Sequence, residues 1–351
     1  MYLRSKKSRF KLFSFERMIK ILLMICGHYV QTDSSNVVSS IHRIFSIVIT
    51  ICLCPYFQFN PFFFHVIESV LYSILSQFTQ YGFFFRYCST IKTFDLLSGF
   101  KQIPLYTKRV CFFLLITLLV RLIIVLIHFS AHQTKLKTFC AFLIILSANT
   151  GHILMTIMFS ILNTRMTLIQ KLFANNPIPV NIVGKNQNAS HIKRVRKGLI
   201  CYNNLLDTLK VAEKEIQFTL TVTYLCHVPK IICYVYFVIT VIYKSKFSGY
   251  NLIPMLDMIL ACMAVTAPAL FAELTKNTVD KIKKILGSQL LRCSDESLRY
   301  ELEITLEYVI QRPFSFSIWR AVSLDASLPV AMTSLCITYV IVILQLTQLR
   351  P

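Results

Sequence analysis

Charge is scarce in this chain, and acid is scarcer than base. Only 15% of its 351 residues are charged, whereas ~25% is usual for a soluble protein. There are 16 Asp and Glu against 37 Lys and Arg, a formal net charge of +21. Such a balance suits nucleic acid when the bases share a soluble face. Here they lie between apolar runs, as juxtamembrane residues facing anionic lipid do, so no nucleic-acid partner is expected. Catalytic signatures are also missing. The chain has no HExxH, no GxSxG, no Walker loop and no GxGxxG after a strand, which argues against the enzyme classes those motifs serve. No CxxC pair and no His/Cys metal spacing occur, so neither a metal nor another cofactor is expected. No internal repeat of the transporter kind is visible.

What is abundant is apolar. Hydrophobic residues make up 55% and mean hydropathy is +0.60, which implies an all-α integral membrane protein crossing many times. Most of the 12 cysteines, including Cys52, Cys54, Cys111, Cys140, Cys226, Cys233, Cys262 and Cys336, lie in apolar runs and read as buried thiols. A disulfide involving Cys54 or Cys140 stays open.

Residues 1–20 are basic, and the apolar patch that follows ends by residue 30, too short to span a bilayer. An amphipathic helix at the inner surface is the expected form. Seven spans follow, at about 44–59, 62–85, 110–129, 139–162, 216–243, 252–274 and 328–349. Thirty of the 37 Lys and Arg fall on one side of this topology and five on the other. The positive-inside rule therefore places the N-terminus in the cytosol and the C-terminus outside, in a plasma-membrane protein. Val195, Leu199, Tyr202, Leu206 and Leu209 recur at helical spacing, as do Leu298, Leu302, Leu306 and Val309. They predict cytosolic helices packed on each other or on a neighbouring subunit. The expected division is a basic cytosolic N-terminus (1–43), spans one to six with a ligand pocket in their outer half (44–275), a cytosolic helical segment making subunit contacts (276–327), and the last span (328–351). The sequon Asn188-Ala189-Ser190 falls on the cytosolic side and is inert there.

Ionisable residues inside spans are costly and mark functional candidates. They are Glu68, Arg121, Lys230, Asp257 and Glu273, accompanied by His65, His128, His152 and His227. Glu273 and His227 lie near the inner ends and read as structural. Arg121, His128, Asn149, His152, Tyr234, Tyr236, Phe237 and Asp257 fall at mid-depth or in the outer halves, where a small-molecule pocket between helices would sit. The competing reading pairs Arg121 or Lys230 with Glu68 or Asp257 to neutralise buried charge. In the last span Thr338, Val342 and Gln345 form one sparse polar stripe. Helix–helix hydrogen bonding and pore lining are both open for it.

That span carries a motif. Thr338-Tyr339, five apolar residues, then Gln345-Leu346 resembles the C-terminal signature of insect gustatory receptors, with Leu346 where Phe is usual. The polar break at 323–328 resembles the one before the family's last helix. The resemblance implies a tetrameric, ligand-gated, weakly selective cation channel (Na, K, Ca), homomeric or mixed with related receptors, with the fold of insect odorant receptors. Its last helices would surround one pore. Gln345 would then line the outer pore and Val342 would form a hydrophobic gate. Thr338 and Tyr339 would brace the helix or line the pore deeper. The ligand would be a tastant, in the first place a bitter or other plant-derived compound, with sugar as the alternative. A G-protein-coupled receptor is opposed by the orientation and by the lack of Asp-Arg-Tyr and Asn-Pro-x-x-Tyr. A transporter is opposed by the lack of repeats.

Overall fold

The structure is a computed structural model that describes residues 17–26, 28, 40–48 apart from 42 and 46, 63–79, 82–100, 102–106, 108–130, 135–175, 185–243 and 252–348. From residue 63 on, the described helices are α1 Phe63–Thr79, α2 Gly82–Ser98, α3 Lys108–Ser130, α4 Lys135–Ala174, α5 Lys185–Lys210, α6 Glu213–Tyr243, α7 Leu252–Arg292, α8 Glu296–Gln311 and α9 Ser327–Gln348. A two-residue hairpin, β1 Ser317–Ile318 and β2 Val322–Ser323, joins α8 to α9.

Four helices are long and apolar enough to cross a membrane, within α4, α6, α7 and α9, and α1 and α3 contain shorter apolar helices. The chain is a multi-pass membrane protein. The first expected span, 44–59, lies largely outside the described residues, as does Cys54; so does the Cys140 side chain.

The 40 residues of α4 are about 60 Å of helix, twice a ~30 Å hydrocarbon core. The extension is periodic. Met166, Ile169 and Phe173 continue the buried stripe of α4, and Val279, Ile282 and Leu286 continue that of α7. The expected spans end at 162 and 274, where mean apolarity falls, and the helices run on past both points with this one-sided periodicity. Span two, expected over 62–85, is helical over Phe63–Thr79 and again from Gly82, with residues 80 and 81 outside the described residues, and Phe83 and Phe84 are buried in the core.

The central pair is α4 and α7, with α6 against α7 and α1 against both α4 and α6. Two glycines let helices close up. A Cβ on Gly151 would sit 2.4 Å from Tyr72 Cζ, so α1 lies almost on the α4 backbone there, and a Cβ on Gly198 would meet Phe173 Cζ at 2.4 Å where α5 meets α4. Thr219, Thr223, Thr266 and Thr275 return their hydroxyls to carbonyls four residues back, which hides polar groups inside the bundle. Pro229 and Pro268 lie within α6 and α7. Each removes one backbone N–H, a loss that membrane helices tolerate when neighbours satisfy the freed carbonyl.

The two expected extramembrane helices are α5 and α8, packed on each other. Tyr202 Oη donates to the Arg312 carbonyl at 2.7 Å, Tyr308 Oη to Asn203 at 2.5 Å, and Arg312 Nη2 to Asp207 at 2.5 Å. Arg196 pairs with Glu301, whose guanidinium holds that carboxyl below its ordinary range. Nearby, Arg165 is fully buried, with Nε 3.0 Å from Asp95 Oδ1, Nη2 2.6 Å from Asp95 Oδ2 and Nη1 3.2 Å from the Pro104 carbonyl.

The basic N-terminal segment is helical over 17–25. It seats Ile19, Leu23 and Cys26 against the bundle and leaves Met18, Ile21 and Ile25 half exposed. Past its end, His28 Nε2 lies 2.9 Å from Thr150 Oγ1 and 3.1 Å from Ser147 Oγ, both on α4.

Candidate functional site

The apolar bundle encloses one dense polar network. It is built by helical spacing: His65, Glu68 and Tyr72 fall on one face of α1, and Thr223, His227, Lys230 and Tyr234 on one face of α6. Asp257 comes from the first turns of α7, Arg121 from α3 and His152 from α4. Asp257 stands near the start of α7, whereas α8 follows its end.

Asp257 is the hub. Its Oδ2 lies 2.9 Å from His65 Nε2 and 3.1 Å from Lys230 Nζ and accepts from Tyr234 Oη, while Oδ1 accepts from Arg121 Nη1. Lys230 Nζ is also 2.8 Å from His65 Nε2. Every member is at most 5% exposed. A carboxylate facing two cations in an apolar interior is strongly committed, because loss of either partner strands a buried charge. Both cations therefore choose Asp257 over Glu68, which resolves the pairing alternatives left open by the sequence.

Glu68 turns to His227, whose Nδ1 is 3.3 Å from Glu68 Oε1. That Nδ1 donates to the Thr223 carbonyl at 3.0 Å, since a carbonyl can only accept. Glu68 Oε1 and His227 Nε2 are left without hydrogen-bond partners, as is His152 Nδ1. Glu68, His152 and His227 each offer a ligand atom within 4.8 Å of one another. Consecutive members of this trio are 84 and 75 positions apart in the chain, so no motif spacing announces the cluster. Lys230, one turn from His227, sets a positive charge beside it that works against a divalent cation. His227, placed near an inner end by the sequence, stands midway along α6 and is buried in this network, with its ring packed edge-on against His152 at 5.4 Å. Glu273 lies apart from it and pairs with Lys276 at 3.8 Å.

Of the expected ligand residues, Arg121, His152, Tyr234 and Asp257 are brought together. Asn149 bonds back to the Ile145 carbonyl at 2.5 Å and, with Arg121, helps to line a cavity of about 190 Å³ between the 17–25 helix, α3 and α4. Tyr236 and Phe237 are half-buried on α6, outside the network among the described residues. The His128 side chain lies outside the described residues. Tyr72 Oη meets Thr223 Oγ1 at 2.5 Å, a link the sequence did not announce, because hydroxyls in apolar runs look alike whether they touch lipid or each other.

The last helix is the opposite case. On α9, Leu328, Cys336 and Val340 are buried, spaced by whole turns on one face. Thr338, Tyr339, Val342 and Gln345 are all exposed, and Thr338, Val342 and Gln345 lie on the opposite face. The polar break before it is a hairpin plus a cap. Trp319 and Arg320 take φ of 52° and 58° in the three-residue loop between the strands, where the Ala321 amide donates to the Ile318 carbonyl at 3.0 Å, the left-handed pair of a type I′ turn. Trp319 Nε1 donates to Thr221 Oγ1 at 2.8 Å. Asp325 Oδ1 accepts from the Ser327 amide at 2.9 Å and from its hydroxyl at 2.5 Å, a helix N-cap arrangement.

No family model and no curated protein matches this sequence. Solved structures do. The insect olfactory receptor OR5 from Machilis hrabei, in complex with eugenol, matches with a TM-score of 0.59 over 96% of this chain and 99% of that one, at 13% identity. The chain has the fold of an insect olfactory receptor. At that identity the likeness speaks for the fold, so the chemistry must be argued from the residues. The olfactory receptor is itself complexed with a small organic molecule, eugenol.

Proposed function

We propose that this chain is a subunit of a chemosensory channel, opened by a small molecule and passing cations with little selectivity. The observation that carries the reading is α9. It is among the most apolar helices of the chain, yet only 17% of its apolar window is buried, against 89% for α4, and its Thr338–Val342–Gln345 stripe points away from its own subunit. In an olfactory-receptor fold, a helix left this open is suited to surround an axis with copies of itself. Four copies would place Val342 as a ring of branched apolar side chains that expels water when closed, and Gln345 as neutral dipoles one turn away. Lys and Arg counts put the N-terminus in the cytosol and the C-terminus outside, in the plasma membrane, so the buried network lies in the outer half and Gln345 toward the outer mouth.

A tastant ligand follows from the resemblance of the last helix to gustatory receptors. The cavity beside the network is walled mainly by Leu, Ile and Phe, which favours a bitter or other plant-derived compound over a sugar. Sugar needs several convergent polar groups and a stacking ring, and the lone Trp319 stands at the hairpin. For the ligand to gate, it must bind the open packing better than the closed one.

Whole-cell recording from cells expressing only this chain tests the proposal. Val342→Ala is expected to raise ligand-free current, and Gln345→Ala to change relative ion permeability with little shift of half-maximal ligand concentration. A Val342→Ala channel as silent at rest as the wild type would remove the gate assignment. Current that depends on G-protein signalling would remove the channel.

A further inference from the structure

The hairpin before α9 puts strained backbone under two large side chains. Trp319 and Arg320 hold φ of 52° and 58°, a conformation that Asn and Gly usually supply and that bulky residues rarely adopt. Strain of this kind persists where the surroundings over-determine it, and it clusters at functional positions. Here it presents the only tryptophan of the chain, 47% exposed, beside an exposed arginine. The tip is held from α6. The Trp319 ring packs edge-on against Phe218 at 4.7 Å, its Nε1 donates to Thr221 Oγ1 at 2.8 Å, and Gln217 Nε2 donates to the Ser317 carbonyl at 3.1 Å.

The α6 surface beside the tip runs from charge to apolar. Lys214, Phe218 and Leu225 share one helix face. Lys214 is exposed, Phe218 is 46% exposed and Leu225 66%. After Glu215 the helix carries no Asp, Glu, Lys or Arg until Lys230. An exposed lysine, then a half-exposed ring, then an exposed leucine mark the level where water gives way to lipid. Tryptophan favours that level, and the last span starts a few residues after the hairpin, at Ser327. Arg320 and Lys214 have no carboxylate partner among the described residues. The neighbouring acids are engaged: Glu213 accepts from Gln217 at 3.3 Å, Glu215 pairs with Arg86 at 3.1 Å and Asp325 caps α9.

We propose that the hairpin seats an anionic phospholipid of the leaflet from which α6 and α9 start. Arg320 and Lys214 take the phosphate and the acidic headgroup, Trp319 and Phe218 lie at the glycerol level, and an acyl chain runs along Leu225. A planar guanidinium matches phosphate oxygens. By the Lys and Arg count that leaflet is cytosolic, where anionic lipids concentrate. The hairpin leads directly into α9, with the Leu324 amide on the Phe316 carbonyl at 2.9 Å and Asp325 on the Ser327 amide, so a lipid seated here holds the first turn of the last helix. The seat rests on the membrane reading alone, not on the channel.

Because Trp319 is the only tryptophan, its fluorescence reads this site and no other. The test is quenching in proteoliposomes that hold the full chain as their only protein. Phosphatidylcholine vesicles are doped with phosphatidylserine or phosphatidylcholine brominated on the acyl chains near the headgroup end. Both should quench, with brominated phosphatidylserine associating roughly fivefold more strongly, and bromine at the chain ends should quench least. Arg320→Gln combined with Lys214→Gln should erase the preference for phosphatidylserine and keep quenching by brominated phosphatidylcholine, since the rings stay in place. If the double variant does not fold, the wild-type preference and its loss in high salt decide. No quenching by either lipid, as when water or a second copy covers Trp319, overturns the proposal. So do equal association of the two lipids with the wild type, and a preference that survives the double variant. The readout needs no current, so a silent chain with the preference would sink the channel and keep this site, and a conducting chain without it would do the reverse.

Discussion

Two buried arginines meet two buried aspartates in this chain, about 40 residues apart, and they are used differently. Arg165 is saturated: both oxygens of Asp95 take its side-on edge, and Nη1 takes the Pro104 carbonyl. Arg121 spends one nitrogen on Asp257, which Lys230, His65 and Tyr234 also share, and keeps two nitrogens without partners. The first arrangement clamps α2 to α4 and leaves nothing for a ligand. The second has a crowded carboxylate and a cation with two buried nitrogens left unmatched, and Arg121 also helps to line a cavity. Both sites are costly buried charge, but only one is incomplete, and incompleteness is what a binding site needs before its ligand arrives.

The comparison breaks most visibly at Asp95. Asp95→Ala strands Arg165 and should cost about 3–5 kcal/mol, enough to abolish folded protein on size-exclusion chromatography. Next comes the same substitution at both arginines. Arg165→Lys loses a bidentate pair and should destabilise by roughly 2 kcal/mol, whereas Arg121→Lys retains its contact with Asp257 and should melt closer to wild type while changing ligand response. A lower melting temperature for Arg121→Lys than for Arg165→Lys would reverse the assignment of clamp and site. Sharper still is the pair Gly151→Ala and Gly198→Ala. Each pushes a Cβ against a ring at 2.4 Å and should cost roughly 1–3 kcal/mol by overpacking. Only Gly151→Ala disturbs Tyr72 and its Thr223 partner, so only that variant should shift the ligand concentration for half-maximal response; equal shifts from both would dissolve the distinction. The smallest effect belongs to Asp325, whose carboxyl is held below its ordinary range first by the Ser327 hydroxyl. A depressed carboxylate pKa stabilises the fold above the unfolded value, about pH 4, and that contribution fades as pH falls through the folded value. Acidification of wild type should therefore lose slightly more stability than acidification of Asp325→Ala.

Much of this architecture was legible in the chain. The spans that became α3, α6 and α9 follow from apolar runs alone, because lipid demands uninterrupted helix. The helices α5 and α8 follow from one-sided periodicity. For the site, burying Arg121, Lys230 and Asp257 in membrane helices announced a network, but the choice of Asp257 over Glu68 depends on helix rotation and height, which no local pattern encodes. His227 was misplaced for the same reason: being three residues from Lys230 matters only once α1 and α4 are packed against that face. The orphan edge of Arg121 is invisible in sequence, because it is defined by neighbours that do not arrive.

α9 and α4 frame the central claim in the same way. Their hydropathies are 2.1 and 1.7, yet one is 17% and the other 89% buried, so the more apolar helix is the one the chain leaves open. Reconstitution of the purified chain as the only protein in a planar bilayer tests whether α9 is open because copies of it form a pore. The account predicts ligand-evoked cation current whose closed state leaks when Val342 is replaced by alanine. A bilayer that stays silent when ligand is bound, as read by saturable binding to the same preparation, would contradict it.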